Sequence, residues 1–279
     1  MARTPSSVGA ARFLEHYQST SKAVNDRLRE YLGDTKASNV QSLRGSIRRL
    51  DAILRVLPKE ARRGDRSIDD CRRRCRKVLK LTSQIRDIDM ILGKLDSEIS
   101  HPSLSKIARK LKSQRREHVE RSMSAAWKLF EMRPPELEER TVRGSESHAR
   151  RMIRSLEGKV ADELRQVLGS ESRVEELHSL RKRCKRLRYT IELLPNSSQR
   201  LARARVLRGW QDALGLIRDS DVFIDRLGRK DTAAGVKDLI QAERLSRHTR
   251  YLRFVKTNGA TLEEGRRSRP ARLQSGPKP

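Results

Sequence analysis

Apolar residues recur at helical spacing along almost the whole chain. Between residues 9 and 32, Phe13, Tyr17, Val24, Leu28 and Tyr31 share one broad face, and Gly33 with Asp34 ends the segment. A second helix is predicted over 39–57, stopped by Pro58, which cannot extend the hydrogen-bond ladder. A third covers 67–96, with Ser67 as the expected N-cap and Asp69 and Asp70 in the positively polarised first turn. A fourth starts near Pro102 and ends before Pro134 and Pro135. Beyond that proline-rich break, which extends through Gly144, the same spacing predicts helices over 146–168, 172–194, 197–228 and 232–256. No sustained alternation and no Asn-Gly or Asp-Gly turn between apolar runs marks a strand, so the expected class is all-α. The expected organisation is a disordered start over 1–8, a helical half over 9–133, a second over 146–256, and a disordered basic tail over 265–279.

Four helices, a break and four helices suggest duplication, and the sequence carries it. The segment from Val40 to Leu50 aligns with that from Leu177 to Leu187 at an offset of 137, which also superposes Leu57-Pro58 on Leu194-Pro195. Ile85-Arg86-Asp87-Ile88-Asp89 matches Ile217-Arg218-Asp219-Ser220-Asp221 at an offset of 132. Two related helical halves about a pseudo-twofold axis are the expected arrangement.

The repeated helices have opposed faces. Leu177, Leu180, Cys184, Leu187, Ile191 and Leu194 fall within one arc, and His178, Arg181, Lys182, Lys185 and Tyr189 on the other. In the first copy Val40, Leu43, Ile47, Leu50, Leu54 and Leu57 point inward and Arg44, Arg48 and Arg55 outward, a basic rail of about 16 Å at about 1.5 Å per residue. Like charges one turn apart destabilise a helix by about 0.2–0.5 kcal/mol per pair, so stacking arginines costs stability unless a partner gains from it. The third helix adds a stripe of Arg73, Arg76, Lys77 and Lys80, and its counterpart carries Arg205 and Arg208. Facing stripes within each half would form a basic groove.

Composition sharpens this. Of 279 residues, 64 are Lys or Arg against 36 Asp or Glu, a net charge of +28 with 47 of the cations arginine. The guanidinium fork suits carboxylate and phosphate oxygens, so a polyanionic partner is expected. Leu, Ile, Val and Phe make up 23% of the chain, enough for a thin core. No apolar run is long enough to span a bilayer and the start lacks the apolar region of a secretory signal, so a soluble, cytoplasmic protein without membrane insertion is expected. Three cysteines make no disulfide framework.

With these residues in view, the chain resembles the CHAD (conserved histidine α-helical domain) family. The resemblance rests on His178, Arg181, Lys185, Arg186, Leu187 and Arg188, followed by Leu214-Gly215-Leu216-Ile217-Arg218-Asp219-Ser220-Asp221, and covers about residues 9–256. It implies two four-helix bundles forming one helical domain, with a central basic surface that binds inorganic polyphosphate, without catalysis and without a cofactor. It also implies polyphosphate granules as a place to which the chain could be drawn. The first copy departs from the pattern, with Gln41 where the histidine is expected and Asp51 where an arginine is. The expected polyphosphate-binding set is Arg44, Arg48, Arg49, Arg55, Arg73, Arg76, Lys77, Lys80, His178, Arg181, Lys182, Lys185, Arg186, Arg188, Arg205 and Arg208. His178 and its followers are expected to weigh more than the first copy.

Other chemistry is less favoured. Cys71 and Cys75 stand one turn apart but have no matching Cys/His pair, so core packing is expected over zinc. Asp87, Asp89, Asp219 and Asp221 read either as carboxylates for Mg²⁺ or as structural acids that orient arginines and tie helices together, the latter preferred. No phosphate-binding P-loop, Gly-x-Ser-x-Gly or His-Glu-x-x-His occurs, so no enzyme is expected. A non-specific nucleic-acid-binding protein and an accessory or scaffold subunit of a phosphate-metabolising enzyme are the alternatives.

Overall fold

The computed structural model describes residues 5–96, 102–228 and 234–267, and every regular element in them is helical. The long helices α1 (Pro5–Gly33), α2 (Ala37–Val56), α4 (Arg66–Leu95) and α5 (Pro102–Met132) precede the break, and α7 (Ser145–Val167), α8 (Val174–Ile191), α9 (Ser198–Gly228) and α10 (Ala234–Arg267) follow it. Two short helices, α3 (Lys59–Gly64) after Pro58 and α6 (Glu139–Val142) inside the break, lack enough apolar periodicity to announce themselves. α1 begins at Pro5 and α10 continues to Arg267, each reaching into a segment expected to be disordered. The rest of those two segments, 1–4 and 268–279, lies outside the described residues.

Helix α4 corrects the expected cap. Asp65, extended at φ −130°, accepts the Ser67 N–H at 2.8 Å, while Ser67 is already helical. A cap must precede the helical dihedrals, and a carboxylate there also meets the positive end of the helix dipole. At the break, Gly144 holds φ +83°, a left-handed conformation open to glycine, and turns the chain into α7.

α2 packs on α1 and α4, and α4 on α5; α8 packs on α7 and α9, and α9 on α10. The halves meet where α2 touches α7 and α8, α4 touches α9, and α5 touches α10. The apolar arcs of α2 and α8 are turned into a core continuous across the two halves, with Val40, Leu43, Ile47, Leu50, Leu54 and Leu57 wholly inaccessible. A smaller cluster around Ile88, Ile91, Leu95, Phe223 and Leu227 closes the far end of α4, α5, α9 and α10. Cys71, Cys75 and Cys184 are buried free thiols, and no cluster of three potential metal ligands occurs among the described residues. No described helix is long and apolar enough to cross a membrane.

The acids of the repeated Arg-Asp-x-Asp segments hold helices together. Asp89 on α4 accepts from Arg115 of α5 at 2.5 Å, and the same guanidinium donates to the Thr35 carbonyl before α2 at 2.6 Å. Asp221 on α9 accepts from Arg247 of α10 at 2.6 Å, and that guanidinium donates to the Glu171 carbonyl before α8 at 3.0 Å. Each latch therefore fixes the start of the helix that carries the basic face. Arg247→Ala leaves Asp221, whose side chain is 10% exposed, without its cation. The expected cost is about 2–4 kcal/mol in urea denaturation, whereas Arg121→Ala, removing an exposed pair with Glu117 at 3.9 Å, should cost under about 1 kcal/mol.

Candidate anion-binding site

Where α2 crosses α8, with the middle of α4 and the middle of α9 as side walls, a cavity of about 720 Å³ opens to solvent. α2 contributes Gln41, Arg44, Gly45 and Arg48; α8 contributes His178, Arg181, Lys182, Lys185 and Tyr189; α4 contributes Ser83, Gln84, Arg86 and Asp87; α9 contributes Arg218. Six arginine and lysine side chains besides Arg44, together with one histidine, thus surround a space that receives a single carboxylate, Asp87.

The placement follows from the apolar stripes. With Leu43, Ile47 and Leu50 committed to the core, Arg44 and Arg48 project between α2 and α4; with Leu180, Cys184 and Leu187 inward, Arg181 and Lys185 project from α8 into the same space. Arg44 differs from its expected outward position: it is 8% exposed and donates to the Leu79 carbonyl at 2.6 Å and to Thr82 Oγ1 at 2.7 Å. Two acceptors on α4 are enough to draw the guanidinium inward. The Arg181 guanidinium lies over the bare backbone of Gly215, where an added Cβ would stand 3.5 Å from its Nε. That is an ordinary van der Waals separation, so the α8 arginine packs directly on the α9 motif glycine and a methyl group there would also be accommodated.

Few of these cations have partners. Besides Arg44, Arg86 is the exception, donating to Asp87 at 3.0 Å and across the halves to Asp219 at 2.5 Å. Burial pulls its pKa down, but these two carboxylates outweigh it and the net shift is upward. Arg48, Arg181, Lys182, Lys185 and Arg218 make no hydrogen bond or ion pair among the described residues. Arg181 Nε and His178 Nδ1 are buried and unpartnered, a costly state for a polar atom. Burial, reinforced by neighbouring cations, pushes Lys185 down to about 6, Arg44 to about 9 and His178 to about 4, and lowers Arg48 and Arg181 as well.

The rest of the expected set is placed elsewhere. Arg73, Arg76, Lys77 and Lys80 are exposed on the outer face of the N-terminal part of α4, because Cys71, Cys75 and Val78 face the core. Arg205 and Arg208 are exposed on the outer part of α9. The stripes of α2 and α4 thus do not face each other within a half; α2 and α8 face each other across the halves. Arg55 is tied to Asp51, which also accepts from Arg72, and buried Arg188 to Glu192 and Gln211. Arg49 is exposed and stands 5.9 Å from the centroid of the Tyr189 ring at the cavity wall, whereas exposed Arg186 reaches Met152 Sδ of α7 at 3.8 Å. Sequence reasoning left out Arg86 and Arg218 as ligand-facing residues, although both are the arginine of the repeated Arg-Asp-x-Asp segment; the recurrence was the available signal.

A family model of the CHAD domain matches residues 12–228. Among solved structures, the chain is similar to the CHAD domain from the plant Ricinus communis, with a TM-score of 0.56 and 15% identity over 95% of this chain and 89% of that one. That likeness concerns the fold. Comparison with curated proteins gives no match.

Lys185 carries a stability consequence of definite sign. Its folded pKa, about 6, lies below its ordinary value of 10.5, so between these pH values the folded state binds fewer protons than the unfolded. Stability is therefore lost as pH falls from about 10 to about 6, and the loss is complete below that window. Lys185→Met should raise the melting temperature most at pH 6 and progressively less toward pH 10, measured by thermal denaturation across that range.

Proposed function

The chain belongs to the CHAD domain family, and from that premise we propose that its central cavity binds inorganic polyphosphate and does not turn it over. The observation that carries this reading is the set of cations facing one cavity without acceptors, including the buried donor Arg181 Nε, beside a buried His178 Nδ1 that also has no partner. A chain of phosphates supplies evenly spaced anionic oxygens and has no bases to read, so many donors on rigid helices recognise it better than one shaped pocket for a single group. Guanidinium groups give paired, charge-assisted bonds to such oxygens, while Lys182 and Lys185 act as mobile point charges. The recess favours a thin, flexible polyanion over duplex nucleic acid, whose phosphates lie on the outside of a stiff, wide cylinder. The lining offers cations, amides, a hydroxyl and a phenol, and its one carboxylate is occupied by Arg86, which suits binding rather than general acid-base work.

Charge neutralisation and counterion release would drive the association, so affinity should fall as salt rises. Protons join the balance. Empty, the site holds Lys185 mostly neutral above about pH 6; a polyanion beside it restores the ammonium, so binding takes up a proton. Affinity then rises as pH falls from 8 toward 6.

Arg181→Glu with Lys185→Glu should weaken binding of long-chain polyphosphate at least a hundredfold at fixed salt. Lys77→Glu with Lys80→Glu, an equal charge change on the exposed face of α4, should weaken it only a few fold. Equal losses, or duplex DNA competing as well per phosphate, would leave diffuse electrostatics in place of a site. Calorimetry in buffers of different ionisation heat should register proton uptake between pH 6 and 8, and Lys185→Arg should flatten the pH profile because arginine keeps its charge throughout.

A further inference from the structure

Away from the basic cavity, α9 and α10 leave between them an open groove of about 440 Å³ lined by Val206, Gly209, Trp210, Ala213, Leu216 and Phe254. Trp127, Leu201, Leu245 and Leu252 also reach solvent, and Val206 and Leu216, each about half exposed at 51% and 52%, are the two that border this groove. Solvent-facing apolar residues scattered singly are ordinary, but here they flank a concavity floored by an aromatic pair of positions.

Gly209 sits in the interior of α9, where glycine weakens a helix relative to alanine, and nothing lies within 4 Å of where its Cβ would stand. No contact inside the molecule requires the missing side chain. Gly209 and Ala213 stand one turn apart between the ridges of Val206 and Leu216, and a gap of small residues between apolar ridges is the shape that receives the ridge of another helix. From Val206 to Leu216 the groove extends about 15 Å at about 1.5 Å per residue, three turns of a docked helix.

The charges select the partner. Arg253 lines the groove and Arg205 stands one turn before Gly209 on its flank; both are exposed and neither has a hydrogen bond or ion pair among the described residues. Arg250 is already held by Ser220 and Glu243. A net charge of +28 opposes a second copy of this chain on the face, and the tail beyond the described residues, with Arg269 and Arg272 and a single leucine, has no acids to offer. We propose that this groove docks an amphipathic helix of a partner protein whose apolar stripe is flanked by Asp or Glu. Apolar side chains of that helix enter above Gly209 and Ala213 beside Trp210, and its carboxylates pair with Arg205 and Arg253.

Trp210 is a built-in reporter. In a Trp127→Phe background, which removes the exposed tryptophan of α5, synthetic peptides about four turns long are titrated, each carrying the same leucine and phenylalanine stripe flanked by Glu, flanked by Lys, or scrambled. The Glu-flanked peptides should shift Trp210 emission to the blue and bind at least tenfold more tightly than the Lys-flanked ones. Gly209→Leu fills the groove from a position with open space around it, so it should keep the helical circular dichroism and polyphosphate affinity of the parent while abolishing the shift. Equal binding of the Glu, Lys and scrambled peptides, or unchanged binding by Gly209→Leu, overturns the proposal. So does self-association in sedimentation that Gly209→Leu removes, or a blue shift obtained with phosphatidylserine vesicles in the absence of peptide.

Discussion

Like charges crowded into a partly buried recess repel one another, and the rest of this structure is arranged to bear that repulsion. Two unit charges about 4 Å apart oppose each other by about 4 kcal/mol at an effective dielectric of about 20, so a few unscreened pairs rival the whole stability of a domain, about 5–15 kcal/mol. Three features hold the cations in place. The apolar stripes of α2 and α8 are fully buried behind them, so neither helix can rotate its basic face outward without exposing core. The Asp89–Arg115 and Asp221–Arg247 latches pin the starts of those helices from outside the cavity. Lys185 gives way chemically, its ammonium destabilised until it titrates near pH 6.

The two halves share these devices but do not line the cavity equally. His178 and Gln41 both line the cavity, so only α8 brings an imidazole to it, and burial holds that imidazole's pKa down to about 4. Arg86 is neutralised by Asp87 and Asp219, the second pair crossing between α4 and α9; its counterpart Arg218 has no ion pair among the described residues. Where the copies differ in sign, at Asp51 and Arg188, each residue is used structurally. Asp51 gathers Arg55 and Arg72, and Arg188 bonds Glu192 and Gln211 beneath the Tyr189 ring, so neither enlarges the basic lining. One half thus supplies most of the free donors and the other supplies the bridge that holds the cleft together.

Charge is therefore spent in three ways that composition cannot distinguish. Some arginines tie helices together, such as Arg44, Arg115 and Arg247; some face the cavity unpaired; and others, such as Arg205 and Arg253, stand in solvent beside an apolar groove. The cavity and the groove lie on different parts of α9, with Arg218 in one and Val206 to Leu216 in the other.

The chain's own pattern determined the eight long helices, the break between halves and the inward faces, because a 3.6-residue period of apolar positions in a helix admits one burial direction. It also carried the recurrence that marks the lining, His178, Arg181 and Lys185 opposite Arg44 and Arg48, and the acids Asp89 and Asp221 that became latches. It could not say which cations converge. With arginine or lysine at nearly a quarter of all positions, every helix has a basic face, and a stripe such as Arg73 to Lys80 looks the same whether it meets another helix or water. That choice was made by the packing of α2 against α8 across the halves, which turned Arg86 and Arg218 inward, buried Arg44 against Thr82, and left the N-terminal stripes of α4 and α9 outside. Periodicity fixes a helix's orientation toward its own core; the long-range crossing of two helices, which no local spacing encodes, decides what its polar face meets.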